Sequence, residues 1–159
     1  MRMNQRMKEC IQEVLLLSIF KSFCEKNESK DDQRKLRNIY SHSTNPLETT
    51  KNLIVNELQE VISLDDAEKM HELITAFLKK SVHRKGVSDT VKSSLLTKQN
   101  GKCAICGCAI DIHSHVDHIV PFKYVGDELE DNYQMLCANC NLKKNDSIDF
   151  QIRYLLKSI

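Results

Sequence analysis

Apolar residues recur at helical spacing through the first half of the chain. Leu53, Ile54, Leu58, Val61 and Ile62 follow that period, and Ala67, Met70, Ile74, Phe77 and Leu78 follow it again. Ser63 is placed to cap the second of these helices, with Asp66 three residues on in an approximate capping box. Residues 3–24 are apolar around much of the helical circumference, which predicts a helix that is buried or paired with another chain. The stretch 28–50 is polar and holds Pro46; it reads as a loop around a short helix near 33–40.

The pattern changes after about residue 85. Ser88 can cap a helix that ends at Gly101; beyond it, cysteine pairs, short apolar runs and turn residues replace the helical period. The tail returns to helical spacing with Ile148, Ile152, Leu155, Leu156 and Ile159. The expected fold class is therefore α+β: a mostly helical region over 1–85, a small cysteine-stapled part over 86–159, and a C-terminal helix. The charged stretch at 80–88 marks the boundary.

Composition adds modest constraints. Hydrophobic residues make up 41% of 159, enough for a packed core, and with no Trp that core must be largely aliphatic. The net charge of +1 predicts no bulk attraction to nucleic acid, so any basic surface must come from local clustering. The densest basic stretch runs from Lys79 and Lys80 through Arg84 and Lys85 to Lys92, Lys98 and Lys102. With Lys143 and Lys144 it can follow phosphates, or serve simply as a solvated face. The basic start of the chain and its short apolar run are interrupted by Gln12 and Glu13 and lack a small-residue cleavage site, so they do not read as a secretory signal. No apolar stretch is long enough to span a membrane.

The cysteines change the picture most. Seven is an odd number for a disulfide framework, and four of them form two Cys-x-x-Cys pairs, Cys103 with Cys106 and Cys137 with Cys140. Such pairs point to a closed structural zinc site in a reducing compartment, here the cytoplasm. Cys108 is a spare thiol, while Cys10 and Cys24 read as core residues of the first helix. Residues 107–136 lie between the pairs, more than the ~15–20 of a compact zinc ribbon. The clamped segment holds Asp117, His118 and Asn132. An acid and a histidine side by side among β-branched residues need a reason. On a regular strand they point to opposite faces, so serving one site requires the strand to end there, and Pro121 suits an early end.

Together the paired knuckles, the Asp-His-Ile-x-Pro run from Asp117, Asn132 before the second knuckle, and the Cys-Asn-x-x-Lys run from Cys140 resemble HNH endonucleases, the ββα-metal type of nuclease. The resemblance covers residues 101–146. It implies His118 as general base, Asp117 and Asn141 as ligands of one catalytic divalent ion, Asn132 as the residue that fixes the histidine loop, and Lys144 as a phosphate contact. Many members carry His at the positions of Asp117 and Asn141; the oxygen ligands here favour Mg²⁺ or Mn²⁺ over softer ions. An imidazole can accept water's proton near neutral pH, and a bound cation can stabilise charge on the leaving oxygen. The expected function is hydrolysis of DNA phosphodiesters, double-stranded DNA first, in a setting such as restriction or phage defence. Arg84, Lys85, Lys143 and Lys144 are the expected nucleic-acid contacts. The helices of 1–85 are expected to dimerise, bind a partner protein or position DNA. The alternative is a non-catalytic zinc-stabilised module that binds nucleic acid or protein. His113 and His115 read as surface histidines or as further metal ligands, with His115 on the strand face of Asp117, and the run Asp127–Asp131 reads as a solvated loop.

Overall fold

The computed structural model describes residues 3–159; Met1 and Arg2, the start of the expected helical region, lie outside them. Five helices come first: α1 (Gln5–Lys26), α2 (Lys30–Ser41), α3 (Pro46–Leu58), α4 (Leu64–Lys79) and α5 (Asp89–Lys98). Then follow β1 (His115–His118), α6 (Phe122–Val125), β2 (Tyr133–Leu136), α7 (Ala138–Lys144) and α8 (Ile148–Lys157). The described residues are thus mostly helical around one small two-stranded sheet, an α+β arrangement.

Each of the first five helices begins on a side-chain cap, because the first turn leaves backbone N–H groups without partners. Asn4 accepts from the backbone of Met7, Ser29 from Asp32, Asn45 from Glu48, Ser63 from Asp66 and Ser88 from Val91. The short helix expected near 33–40 is present as the longer α2, and the rest of the stretch 28–50, expected as loop, includes the start of α3. Ser29 and the acidic pair Asp31–Asp32 start α2, and Pro46 opens α3 at a position where a missing N–H costs nothing. The expected helix through Val61 and Ile62 stops earlier. Gln59 turns left-handed at φ 57°, so Val61 is left 84% exposed while Ile62 still reaches the core.

One hydrophobic core joins the two sequence regions. Leu16, Phe20 and Phe23 of α1 meet Ile54 of α3 and Met70, Ile74 and Phe77 of α4. The same cluster continues into Val120, Val125 of α6, and Ile148 and Leu155 of α8. Burying a side chain such as Phe20 or Phe23 contributes roughly 1.5–3 kcal/mol. The apolar side of α1 is thus taken up within the chain, against α3, α4 and α8. Lys21 and Asp149 add an ion pair at 3.0 Å between α1 and α8, half-exposed and worth at most about 1 kcal/mol. A second, smaller cluster surrounds Cys103, Leu136 and Cys140, with Ile105 and Ile110 packed on it.

The sheet is antiparallel. Asp117 sits opposite Gln134, and His118 opposite Tyr133. β1 ends at His118, as the adjacent acid and histidine require, and Pro121 lies three residues on. Among the described residues no helix is long and apolar enough to cross a membrane.

Candidate functional site

The two cysteine knuckles meet at one end of the sheet, the first before His115 and the second after its partner Leu136. After α5, Gly101 and Gly107 adopt positive φ, and Cys103 N donates to Cys108 O while Gly107 N donates to Cys103 O, closing a tight turn. Cys137 is the cap of α7, its sulfur accepting from Cys140 N. The sulfurs of Cys103, Cys106, Cys108 and Cys137 all lie within 4.8 Å of one another. Cys106 and Cys137 are 3.8 Å apart, which matches the ~3.8 Å edge of a tetrahedron with Zn–S bonds of ~2.3 Å. The cluster therefore fits a zinc ion. Cys140 is buried beside it, its thiol against the sulfurs of Cys106, Cys137 and Cys103; the exposed Cys108 meets Cys106 and Cys137. Burial pushes the Cys103 thiol up, but backbone donors at Cys106, Cys137 and Ile105 outweigh it and bring it down to about 6. Thiolates are what a metal binds, so such donors prepare the knuckle for one.

Beside this frame lies a polar cleft of about 310 Å³. Its walls include Arg84, His115, Asp117, His118, Asn141 and Asp146. Four of the residues read from the sequence, namely Arg84, Asp117, His118 and Asn141, thus share one cavity. β1 supplies the acid and the histidine, α7 supplies Asn141, and the linker after α4 supplies Arg84, whose guanidinium lies 4.8 Å over the Phe122 ring.

His118 is tightly held. Its Nε2 lies 2.8 Å from Asp127 Oδ1, and Phe122 and Tyr133 flank the ring with centroids at 5.4 and 4.9 Å. Asn132 is buried behind it. The Asn132 side chain accepts from Val120 N at 2.8 Å and donates to Val120 O at 2.9 Å, fastening the segment just after the histidine. Asp117 Oδ2 takes bonds from Lys144 Nζ at 2.9 Å and Gln134 Nε2 at 3.0 Å. No described residue bonds to its Oδ1.

Of the four expected nucleic-acid contacts, Arg84 lines the cleft and Lys144 does not face it. Lys144 is fully buried under β1, where it also donates to His118 O at 2.7 Å, because Asp117 and that carbonyl satisfy a charge that would otherwise stay in water. It is not available to a phosphate. Lys143 is exposed on α7 but outside the cleft walls, and the Lys85 ammonium pairs with Glu128 at 3.7 Å. His115, by contrast, lies on the cleft wall.

The sequence reading also missed Asp127. It is no solvated loop residue: its side chain is 3% exposed and accepts from Tyr133 Oη at 2.6 Å and from Lys85 N at 2.7 Å besides facing His118. Burial raises its carboxyl, but the donors at Lys85, Tyr133 and His118 hold it below the usual range. Burial and the Asp127 carboxylate together push the Tyr133 phenol up to about 12, so it stays a donor. The one clue was Gly126, whose φ of +59° turns the chain back over β1.

The match to a known family falls on this same ground. Residues 103–147 match the family described as HNH endonuclease, a span that encloses the four clustered cysteines, Cys140 and every cleft residue except Arg84. No curated protein matches the chain, and no solved structure matches it.

Proposed function

We propose that the chain is a metal-dependent endonuclease that hydrolyses DNA phosphodiester bonds at the cleft between β1, α7 and the linker. The observation that carries this reading is the meeting of Asp117, His118, Asn141 and Arg84 in one polar cavity. β1, β2 and α7 serve in this reading as the ββα-metal unit. His118 is the general base, since an imidazole can take water's proton near neutral pH. Asn132 holds its loop. Arg84 offers a guanidinium for a phosphate oxygen, and phosphate contacts of this kind position a substrate without reading its sequence. Asp117 through Oδ1 and Asn141 form a hard-oxygen site suited to Mg²⁺ or Mn²⁺. An ion bound there supplies charge stabilisation at the leaving oxygen.

Cys103, Cys106 and Cys137 hold a structural zinc, with Cys140 as the fourth ligand. Its two-residue spacing from Cys137 and its burial suit a closed site. Residues 1–85 act as a scaffold for 86–159, a reading supported by the core they share.

A second reading has its own support. The Lys144–Asp117 pair satisfies the acid within the protein, as it would in a zinc-stabilised binding module without catalysis. Supercoiled plasmid incubated with the zinc-loaded protein and increasing Mg²⁺ or Mn²⁺ separates the two. The nuclease reading expects nicking that rises with the metal and is lost in Asp117→Ala. Plasmid retarded on a gel yet never nicked favours the module.

A further inference from the structure

We propose that Asp127 is a positioning residue for His118, fixing the imidazole through Nε2 so that Nδ1 is the nitrogen that meets water. The inference rests on the nuclease reading of the same cleft.

An ionised Asp only accepts hydrogen bonds. Asp127 is buried and already collects the Tyr133 hydroxyl and the Lys85 N–H, so the bond at 2.8 Å to His118 is donated by Nε2–H. A neutral imidazole with its proton on Nε2 carries its lone pair on Nδ1. The flanking rings of Phe122 and Tyr133 keep the imidazole plane from swinging away. In the step this serves, Nδ1 takes one proton from a water whose oxygen forms the new P–O bond. The P–O bond to the leaving group breaks, and the leaving oxygen keeps the electron pair and takes a proton from solvent.

Asp127 is itself held from outside the family-matched segment. Gly126 lies so close to the linker that a Cβ built there would come within 2.9 Å of Lys80 Cβ. That approach brings Lys85 N onto Asp127 Oδ2. The helical half of the chain therefore reaches the histidine through two consecutive contacts: linker to Asp127, and Asp127 to Nε2. The other charges around the pair are Asp117 and His115 on β1, Lys144 beneath it, Arg84 on the linker with Asp146 at 3.7 Å, and Glu128 with Lys85.

The test is imidazole ¹⁵N spectroscopy on the full-length zinc-loaded protein, joined to cleavage kinetics. Wild type is expected to show His118 with a proton on Nε2 and a bare Nδ1. Asp127→Asn is expected to lose that fixed tautomer and to lower kcat on the order of 10²-fold, with KM within about twofold and zinc content unchanged. A wild-type His118 protonated on Nδ1 overturns the proposal without any variant, even if Asp127→Asn fails to fold. So does an Asp127→Asn protein with unchanged tautomer and kcat. If wild type shows the Nε2–H tautomer but cuts no DNA with Mg²⁺ or Mn²⁺, the nuclease reading falls, and the catalytic meaning of Asp127 falls with it.

Discussion

Lys144 shows how much a single side chain's surroundings decide. Its position in the Cys-Asn-x-x-Lys run suggested a phosphate contact, yet it is wholly buried against Asp117 and the His118 carbonyl. Lysines are almost never fully buried unless paired, and pairing depends on a β1–α7 approach that no local pattern announces. Asp127 was hidden for the same reason, inside a run of acids that reads as solvated. Asp117, His118, Asn132 and the cysteines were legible, because their types and spacing are demanded by chemistry and not by packing. The buried pair carries a prediction. Lys144→Ala leaves the Asp117 carboxylate without its counter-charge, held by Gln134 alone, takes a donor from the His118 carbonyl, and should cost about 3 kcal/mol in urea unfolding followed by circular dichroism. A loss under about 0.5 kcal/mol would mean that the ammonium is dispensable to the fold.

At the scale of elements, helices were easier to foresee than their ends. The caps at Ser63 and Ser88 were visible because a hydroxyl before an apolar period has one common use. The start of α3 at Pro46 was misjudged, since proline both breaks helices and begins them, and the end at Gln59 rests on a left-handed residue other than glycine. The knuckles turn on a similar ambiguity between Cys108 and Cys140. Cys140 rides on α7 behind the Cys137 cap, with its sulfur against three others, whereas Cys108 is exposed on the turn. Metal analysis of purified protein should therefore find zinc lost in Cys140→Ser and kept in Cys108→Ser. The reverse result would move the fourth ligand to Cys108.

Across the whole molecule, the sequence pattern changes at 80–88 while one core runs across that stretch. Val120, Val125, Ile148 and Leu155 share one cluster with α1, α3 and α4, a long-range fact that periodicity cannot carry. Phe20 stands near the join, fully buried with Tyr124 at 6.2 Å between ring centroids. Phe20→Ala should lower stability by about 3–5 kcal/mol in one cooperative transition that takes the zinc-bearing part down with the helices. Two separate transitions, with the zinc part unmoved, would show that the halves fold independently.

The central claim is that His118 draws a proton from water in the β1–α7 cleft. The most direct measurement compares wild type with His118→Ala, both zinc-loaded and folded, on supercoiled plasmid with Mg²⁺ and with Mn²⁺. The account predicts nicking by wild type and a rate lower by at least about 10²-fold in the variant. Equal nicking by both proteins in contaminant-free preparations would contradict it.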